Sequence, residues 1–471
     1  MAKEYDVVIL GAGPAGYVAA VRAEQLGFKV ALVEQDRVGG VCLHRGCIPT
    51  KTLLESAKVY HYHQKGSLYG VDSSAVSLNM PVILERKRTI VEKLHKGLQS
   101  LLNRPNITMY RGKGRILGPS IFSPRAGVVS VEYSSGEESE LLIPRFVLVA
   151  TGSRPGELVG FEKDGQSVID SDSALDLSEL PKSVLIIGGG VIGIEWASMW
   201  SDFGVEVTIL EQAPRILMGE DADISQAMTK NLTQRGVRII TSATLVPETV
   251  QIGHNSITVS LASGESLKAE KVFLATGRVA NIEDIGLANT TIKLERNAIV
   301  VNQFMQTAES HIYAVGDVIG GYQLAHAASS EAVLAIEHMA GNNPTPISKM
   351  RIPRAIYSRP EVGSIGLSEA EAKDEGYEVH VGRFPLAAVA KALIIGESDG
   401  FVKVIADATT DNLLGIHIIG PQATELISEA SLAMLLEATP WELSHSIRPH
   451  PTLVESLTEA ALALQGAAIH N

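Results

Sequence analysis

One pattern occurs twice in this chain. An apolar strand is followed by a glycine-rich turn, a helix-compatible segment and a second apolar strand that ends in an acidic residue. The turns read G-A-G-P-A-G within residues 6–16 and G-G-G-V-I-G within residues 182–193. The helices are expected over residues 17–26 and 194–203. Because all parts keep the same order in both copies, the repeat predicts two dinucleotide-binding βαβ units on one chain.

Each position of the G-x-G-x-x-G motif has a physical role. The first glycine permits a tight turn, the second lets the backbone approach a pyrophosphate, and the third lets helix and strand pack closely. The helix N-terminus faces the phosphates, and the acid that ends the second strand accepts hydrogen bonds from ribose hydroxyls. The expected contacts are Gly11, Gly13, Pro14, Ala15, Gly16 and Glu34 in the first copy, and Gly188, Gly190, Val191, Ile192, Gly193 and Glu211 in the second copy.

The chain has two cysteines, Cys42 and Cys47, a few residues after the first βαβ unit. A scaffold-stabilising disulfide is most useful in small secreted domains, whereas this chain is long and its first residues do not resemble a secretion signal. The pair is therefore predicted to exchange electrons with a bound cofactor. The alternative interpretation is two buried structural cysteines.

Composition narrows the class of protein. A chain of 471 residues is too long for one ordinary core, and its 45% apolar and 20% charged residues are typical of a globular protein. No window reaches the roughly 18 apolar residues that a membrane span needs. A net charge of −13 without a basic stripe argues against nucleic-acid binding and fits either plain solubility or a basic protein partner. We expect a cytoplasmic protein without a metal site.

Further strands that end in glycine follow the two repeats. Thr151 and Gly152 end one of them, and Gly277 ends another. A third strand ends in Gly-Asp at Asp317, whose carboxylate either holds part of a cofactor or caps the next helix. From about residue 351, alternating strands and later helical stretches indicate an α+β domain.

Four motifs together resemble one family. They are the first glycine motif, the run from Cys42 to Lys51, the A-V-G-D segment that ends at Asp317, and H-P-T-L from His450. In this order they resemble the pyridine nucleotide–disulfide oxidoreductases, and within that family the dihydrolipoamide dehydrogenases, over essentially the whole chain.

The resemblance implies an α/β fold with two Rossmann-like dinucleotide-binding domains and a C-terminal α+β dimerisation domain. It implies a homodimer with one non-covalent FAD per chain, and oxidation of dihydrolipoyl groups with reduction of NAD in 2-oxo acid dehydrogenase or glycine cleavage complexes. The expected partners are lipoyl domains and the acyltransferase component. The implied regions are an FAD-binding part (1–151), an NAD-binding domain (152–280), a central segment that completes the FAD domain (281–349) and the dimerisation domain (350–471).

The resemblance also assigns roles to single residues. Cys42 is expected to be the thiol that exchanges with substrate, and Cys47 the thiol that passes electrons to FAD. His450, oriented by Glu455, is expected to act as the base for the disulfide of the other subunit. Lys51 is expected to lie near the flavin and pair with Glu195. Further FAD contacts are expected at Gly114, Thr151, Gly152, Asp317 and Ala325, and a further NAD contact at Gly277.

Some positions leave alternatives open. A carboxylate at Glu211 favours NAD over NADP, whereas nearby Arg215 could accommodate a 2′-phosphate. His44 stands where the family usually has Asn. Other readings are a glutathione or mercuric reductase of the same fold, or a flavin-loaded subunit whose main role is to hold a complex together.

Overall fold

The computed structural model describes residues 3–72, 75–119, 126–253 and 256–470. The chain divides into two compact units, each made of three segments. The first unit comprises Met1–Thr52, Leu84–Gly156 and Arg278–Ile347, and the second unit comprises Leu53–Ile83, Glu157–Gly277 and Ser348–Asn471.

The first unit is built on a seven-stranded sheet. Its parallel strands, in spatial order, are Ile107–Arg111, Val30–Glu34, Lys3–Leu10, Glu140–Val149 and Ile312–Ala314. Two more strands, Val129–Glu132 and Lys113–Ile116, continue the sheet in antiparallel pairing. The chain enters at a central strand and winds outward, as a doubly wound dinucleotide-binding fold does.

Helices and short ribbons complete the first unit. Helices Pro14–Gln25 and Ala325–Met339 pack on each other, and their alanines form much of a buried core with the sheet. The helices that lie wholly or partly in this unit are Pro14–Gln25, Gly40–His44, Cys47–Gln64, Met80–Leu102 and Ala325–Met339. The ribbons are Ser153–Pro155 with Arg278–Ala280 and Leu294–Glu295 with Ala298–Ile299, and the 3-10 turns are Leu287–Asn289 and Gly316–Ile319.

The second unit contains a five-stranded parallel sheet of the same type. Its strands, in spatial order, are Arg238–Ile240, Glu206–Leu210, Ser183–Ile187, Lys271–Leu274 and Val168–Asp170. Helices Ser171–Ala174, Val191–Asp202 and Ala222–Gln234 belong to this part, as does the antiparallel meander Leu245–Gly253, Ser256–Leu261 and Ser266–Ala269. The two parallel sheets confirm the predicted α/β class with two dinucleotide-binding folds.

The C-terminal part of the second unit is an antiparallel sheet. Its strands, in spatial order, are Arg354–Ile356, Glu361–Gly366, Leu413–Gly420, Phe401–Asp407 and Val379–Pro385. Its helices are Glu369–Asp374, Ala390–Ile394, Ala423–Leu435, Pro440–His445 and Glu455–Ala463, and the 3-10 turns of this unit are Gly66–Tyr69, Lys349–Arg351 and Leu386–Ala388. Strands Phe401–Asp407 and Leu413–Gly420 form the hairpin that the sequence predicts.

The two hairpin strands are buried at every residue rather than at alternate residues. One face packs on the C-terminal helices through Val402 and Val404. The other face belongs to the core of the dinucleotide-binding part through Phe401 and Ile419. Because both faces are covered, the strands lack the exposed side that an antiparallel sheet often has.

Both βαβ helices begin earlier than expected, at Pro14 and Val191, directly after the second glycine of each motif. Proline at the first helical position is favourable because its missing N–H has no helical partner. Within the described ranges, no helix is long and apolar enough to cross a membrane.

The glycine motifs bring backbone against backbone in both copies. A Cβ at Gly16 would lie 1.8 Å from the carbonyl oxygen of Gly11, and a Cβ at Gly193 would lie 2.0 Å from that of Gly188. Gly11 itself has a φ of +97°, which side chains other than that of glycine rarely permit. The turn and the helix packing of each motif therefore both require glycine.

We predict opposite effects for two glycine substitutions. Gly16→Ala should lower the free energy of unfolding by about 1–3 kcal/mol or more because its methyl group overlaps backbone atoms. Gly97→Ala, on the exposed side of helix Met80–Leu102, meets no described neighbour within 4 Å and should raise the free energy of unfolding by about 1 kcal/mol. Denaturant unfolding of both variants checks this, and equal midpoints would contradict it.

Candidate active site

Cys42 and Cys47 form a disulfide, with their Cα atoms 4.6 Å apart. Cys42 lies in the short helix Gly40–His44, and Cys47 is the first residue of helix Cys47–Gln64. Both cysteines are half-buried. A helix N-terminus stabilises a thiolate through free amide groups and the helix dipole, so Cys47 has a favourable position when the disulfide opens.

The disulfide segment packs directly on the first glycine motif. Gly39 donates its N–H to the carbonyl of Ala12 at 2.8 Å. Gly40 has a φ of +58°, and a Cβ there would lie 2.7 Å from the Cα of Gly13. The two backbones touch without side chains between them, so the fold places the redox pair beside the loop that the sequence assigns to a dinucleotide.

The backbone of the first dinucleotide loop can bind an anion. Among the described residues, no side chain caps helix Pro14–Gln25, whose N-terminal amides are thus available to phosphate. The Glu34 carboxylate accepts the N–H of Ala12 at 2.7 Å and that of Asp36 at 2.9 Å. These bonds fix the carboxylate at the end of its strand, where it can still accept from a ribose hydroxyl.

The second loop repeats this arrangement. The Glu211 carboxylate accepts the N–H of Gly189 and that of Ala213, each at 2.7 Å. A Cβ at Gly190 would meet no described atom within 4 Å, so this glycine faces open space. The guanidinium of Arg215 donates to the carbonyls of Leu217 and Met218 at 2.9 and 3.1 Å. Arg215 is thus engaged by its own loop, which favours NAD over a 2′-phosphorylated dinucleotide.

Two of the predicted FAD contacts, Thr151 and Asp317, take part in hydrogen bonds between residues 151–153, residues 278–281 and Asp317. The Thr151 hydroxyl donates to the carbonyl of Asn281 at 2.7 Å, and the Asn281 side chain donates back to the carbonyl of Thr151 at 2.9 Å. Asp317 accepts from the hydroxyl of Ser153 and lies 3.8 Å from Arg278. Asp317 does not cap helix Ala325–Met339, so the alternative interpretation of Asp317 is wrong.

Sequence reasoning missed three members of this group: Ser153, Arg278 and Asn281. Arg278 donates to the hydroxyl and the carbonyl of Ser153 at 2.7 and 2.9 Å. One sequence signal could have indicated Arg278, because it is a charged residue directly after the predicted strand that ends at Gly277. The positions of these contacts could not be inferred, because they join segments more than a hundred residues apart.

Other predicted contact residues have distinct surroundings. A Cβ at Gly114 would lie 2.5 Å from the side chain of Leu10, so sheet packing also requires glycine there. Gly152 and Gly277 have φ values of +70° and +97° at strand ends. Ala325 is the first residue of its helix, and within the described part of the chain no side chain caps that helix.

Lys51 and Glu195 lie in different units. Lys51 is half-buried on helix Cys47–Gln64. Glu195 is 3% exposed on helix Val191–Asp202 and accepts the N–H of Tyr357 at 3.0 Å. The pairing of Lys51 with Glu195 stays a prediction.

His44, which stands where the family usually has Asn, is the last residue of the short helix that carries Cys42. Its Nε2 lies 2.8 Å from the carbonyl oxygen of Val38, and Nδ1 of His95 lies 3.2 Å from the same oxygen. Burial lowers the pKa of His44 below its ordinary value, more than the bond to Val38 raises it. The ring is therefore neutral near pH 7.

His450 and Glu455 form the predicted pair. Nδ1 of His450 lies 2.9 Å from the Glu455 carboxylate, which also accepts the N–H of Thr452 at 2.8 Å. Burial alone would raise the pKa of Glu455, but the bonds from Thr452 and His450 outweigh it and hold that pKa below its ordinary value. An ionised carboxylate can only accept, so Nδ1 of His450 carries the hydrogen and Nε2 keeps a free lone pair. His450 is 73% exposed, which suits a base that meets an external substrate.

Comparisons with known proteins agree with this geometry. Residues 5–332 match the family model for pyridine nucleotide-disulphide oxidoreductases, and residues 352–461 match the dimerisation domain of that family. The dihydrolipoyl dehydrogenase of Bacillus subtilis (strain 168) is 54% identical over 473 residues, which covers 100% of both chains.

Solved structures are similar over nearly the full length. LpdA from Mycobacterium tuberculosis superposes with a TM-score of 0.89 at 26% identity, covering 98% of this chain and 99% of that one. The flavoprotein disulfide reductase RclA from Escherichia coli has a TM-score of 0.84 at 28% identity, covering 97% of this chain and 99% of that one. With its paired glycine motifs, its disulfide and its dimerisation domain, the chain belongs to the pyridine nucleotide–disulfide oxidoreductase family.

Proposed function

We propose that this protein oxidises dihydrolipoyl groups to lipoyl groups and reduces NAD⁺ to NADH. The observation that carries the proposal is the close backbone contact of Gly40 with Gly13, which holds the Cys42–Cys47 disulfide beside a dinucleotide loop. The relative named dihydrolipoyl dehydrogenase, 54% identical over the whole chain, supports this substrate.

The residues of the first unit fit FAD. The uncapped start of helix Pro14–Gln25 would hold its pyrophosphate, and Glu34 its adenosine ribose. Asp317, Thr151 and the first turn of helix Ala325–Met339 offer further polar contacts. The second unit fits NAD through Gly190 and Glu211. When bound, FAD supplies two-electron transfer between the protein dithiol and NAD⁺.

The residues of the chain carry out thiol–disulfide exchange. Nε2 of His450 takes the proton from one substrate thiol, while Glu455 stabilises the protonated ring. The resulting thiolate attacks the sulfur of Cys42, so a mixed disulfide forms, the Cys42–Cys47 bond breaks and Cys47 leaves as a thiolate. His450 then passes the first proton to water and takes the proton of the second substrate thiol, whose thiolate attacks the substrate sulfur of the mixed disulfide. The lipoyl ring closes and Cys42 leaves as a thiolate, so two electrons have passed to the cysteine pair.

The dimerisation domain supports a homodimer. We propose that His450 of one subunit acts as the base for the disulfide of the other. We also propose that residues 1–151 form the FAD-binding part, residues 152–280 the NAD-binding domain, residues 281–349 the central segment and residues 350–471 the interface domain. Lys51 and Glu195 are proposed to pair near the flavin. We place the enzyme in the cytoplasm, in a 2-oxo acid dehydrogenase or glycine cleavage complex with lipoyl domains and an acyltransferase as partners.

A cysteine substitution tests the proposed chemistry. Cys47→Ser should reduce NAD⁺ reduction by dihydrolipoamide to background, because no protein disulfide remains to accept electrons. Reduction of ferricyanide by NADH needs bound cofactors but no thiol exchange, and should persist as the control. Full dihydrolipoamide turnover by Cys47→Ser would contradict the proposal and would favour a mainly structural role in a complex.

A glycine substitution tests the second dinucleotide site. Gly190→Ala places its methyl group in open space, so we expect an unchanged unfolding midpoint. The methyl group would block the close approach of the NAD pyrophosphate and should raise the KM for NAD⁺ about tenfold or more, which corresponds to about 1.4 kcal/mol. Gly97→Ala is the matched control, with native kinetics. Native KM in Gly190→Ala would place NAD elsewhere.

A further inference from the structure

The loop that carries His450 has no regular secondary structure of its own. It covers residues 446–454, between helices Pro440–His445 and Glu455–Ala463. Two of its side chains are highly exposed, Ile447 at 99% and His450 at 73%. An exposed loop is mobile unless side chains fix it, and general base catalysis requires a fixed ring.

One side chain of this loop points inward. The side chain of Arg448 is only 4% exposed, although it lies two residues from His450. Its guanidinium donates to the carbonyls of Leu443 and Ser446 at 2.7 and 3.1 Å. It also donates to the hydroxyl of Thr458 and to the carboxylate of Glu429.

These acceptors come from three helices and from the loop itself. Leu443 belongs to helix Pro440–His445, Thr458 to helix Glu455–Ala463 and Glu429 to helix Ala423–Leu435. Thr458 lies one turn after Glu455 on the same helix. Arg448 therefore connects the loop that carries the base to the helix that carries its carboxylate partner.

We propose that Arg448 is a positioning residue for the base, which holds the loop so that His450 stays aligned with Glu455. This inference rests on the proposed function. The proposed effect of Arg448 on the base is indirect, because it acts through the geometry of the loop and not through contact with His450 or the substrate.

The chemistry of arginine suits this task. A planar guanidinium offers five N–H groups in fixed directions, whereas a lysine ammonium is a point charge with three. Arg448 uses two nitrogens for four acceptors, and its Nε has no partner among the described residues. Lysine could keep the charge opposite Glu429 but could not reach all of the backbone acceptors together.

The test compares Arg448→Lys and Arg448→Met in the holoenzyme, with Glu455→Gln as reference. Both arginine variants should lower kcat/KM for dihydrolipoamide by about 10- to 100-fold, since small displacements of a catalytic group have such effects. The loss should fall on kcat with an unchanged KM for dihydrolipoamide, as in Glu455→Gln, because a displaced base slows proton transfer without removing a substrate contact. Arg448→Lys should fall between the native protein and Arg448→Met. NADH–ferricyanide activity should stay native.

Arg354→Lys provides the matched control. Arg354 is a partly buried arginine of the same C-terminal part, and its guanidinium donates to the Glu220 carboxylate at 3.1 Å and to the carbonyl of Gly366 at 3.5 Å. Arg354→Lys should lose thermal stability without a loss of kcat. A stability loss in the Arg448 variants with a native kcat would overturn the proposal.

A second measurement is independent of the substrate. Amide hydrogen exchange followed by mass spectrometry reports the mobility of the 446–454 loop, where the N–H of Thr452 donates to Glu455. The loop amides of Arg448→Met should exchange faster than those of the native protein, while those of Arg354→Lys should stay native. An unchanged exchange rate in Arg448→Met would overturn the role of Arg448, whereas absent dihydrolipoamide turnover in the native protein would overturn only the proposed function.

Discussion

The contact of Gly40 with Gly13 is the constraint on which the redox site depends. Two segments separated in sequence approach so closely that a Cβ at Gly40 would lie 2.7 Å from the Cα of Gly13. The contact is fixed on one side by the turn of the first glycine motif, and on the other by the bond from Gly39 to Ala12. Since the disulfide helix starts at Gly40, this contact also sets the distance between Cys42 and the dinucleotide loop.

Glu34 and Glu211, at the end of the second strand in each repeat, are held by the same pair of backbone hydrogen bonds. Each accepts the amide N–H inside its glycine turn and the amide N–H of the residue two positions further along the chain. Each carboxylate thereby stabilises its own turn before any ligand arrives. The copies differ in what surrounds them, because the first is covered by the disulfide segment at Gly40, whereas Gly190 in the second faces open space.

The sequence predicted local features well because they depend on local chemistry. The glycine turns, the hairpin before residue 420 and the pairing of His450 with Glu455 follow from motifs within a few residues. The helices begin at Pro14 and Val191, earlier than the motifs predict, because the residues directly after the second glycine of each motif are already helical. The contacts of Asp317 with Ser153 and Arg278, and the anchoring of Arg448 by Glu429, join distant segments. Such contacts leave no periodic signal, so only the folded structure shows them.

In the proposed reaction, the Cys42–Cys47 disulfide passes electrons from dihydrolipoyl groups to NAD⁺. The most direct measurement is NAD⁺ reduction by free dihydrolipoamide, with glutathione as the competing thiol and NADP⁺ as the competing nucleotide. We expect rapid turnover with dihydrolipoamide and NAD⁺ and little with either competitor. A flavin-loaded protein that is silent with dihydrolipoamide, or that prefers glutathione and NADP⁺, would contradict it.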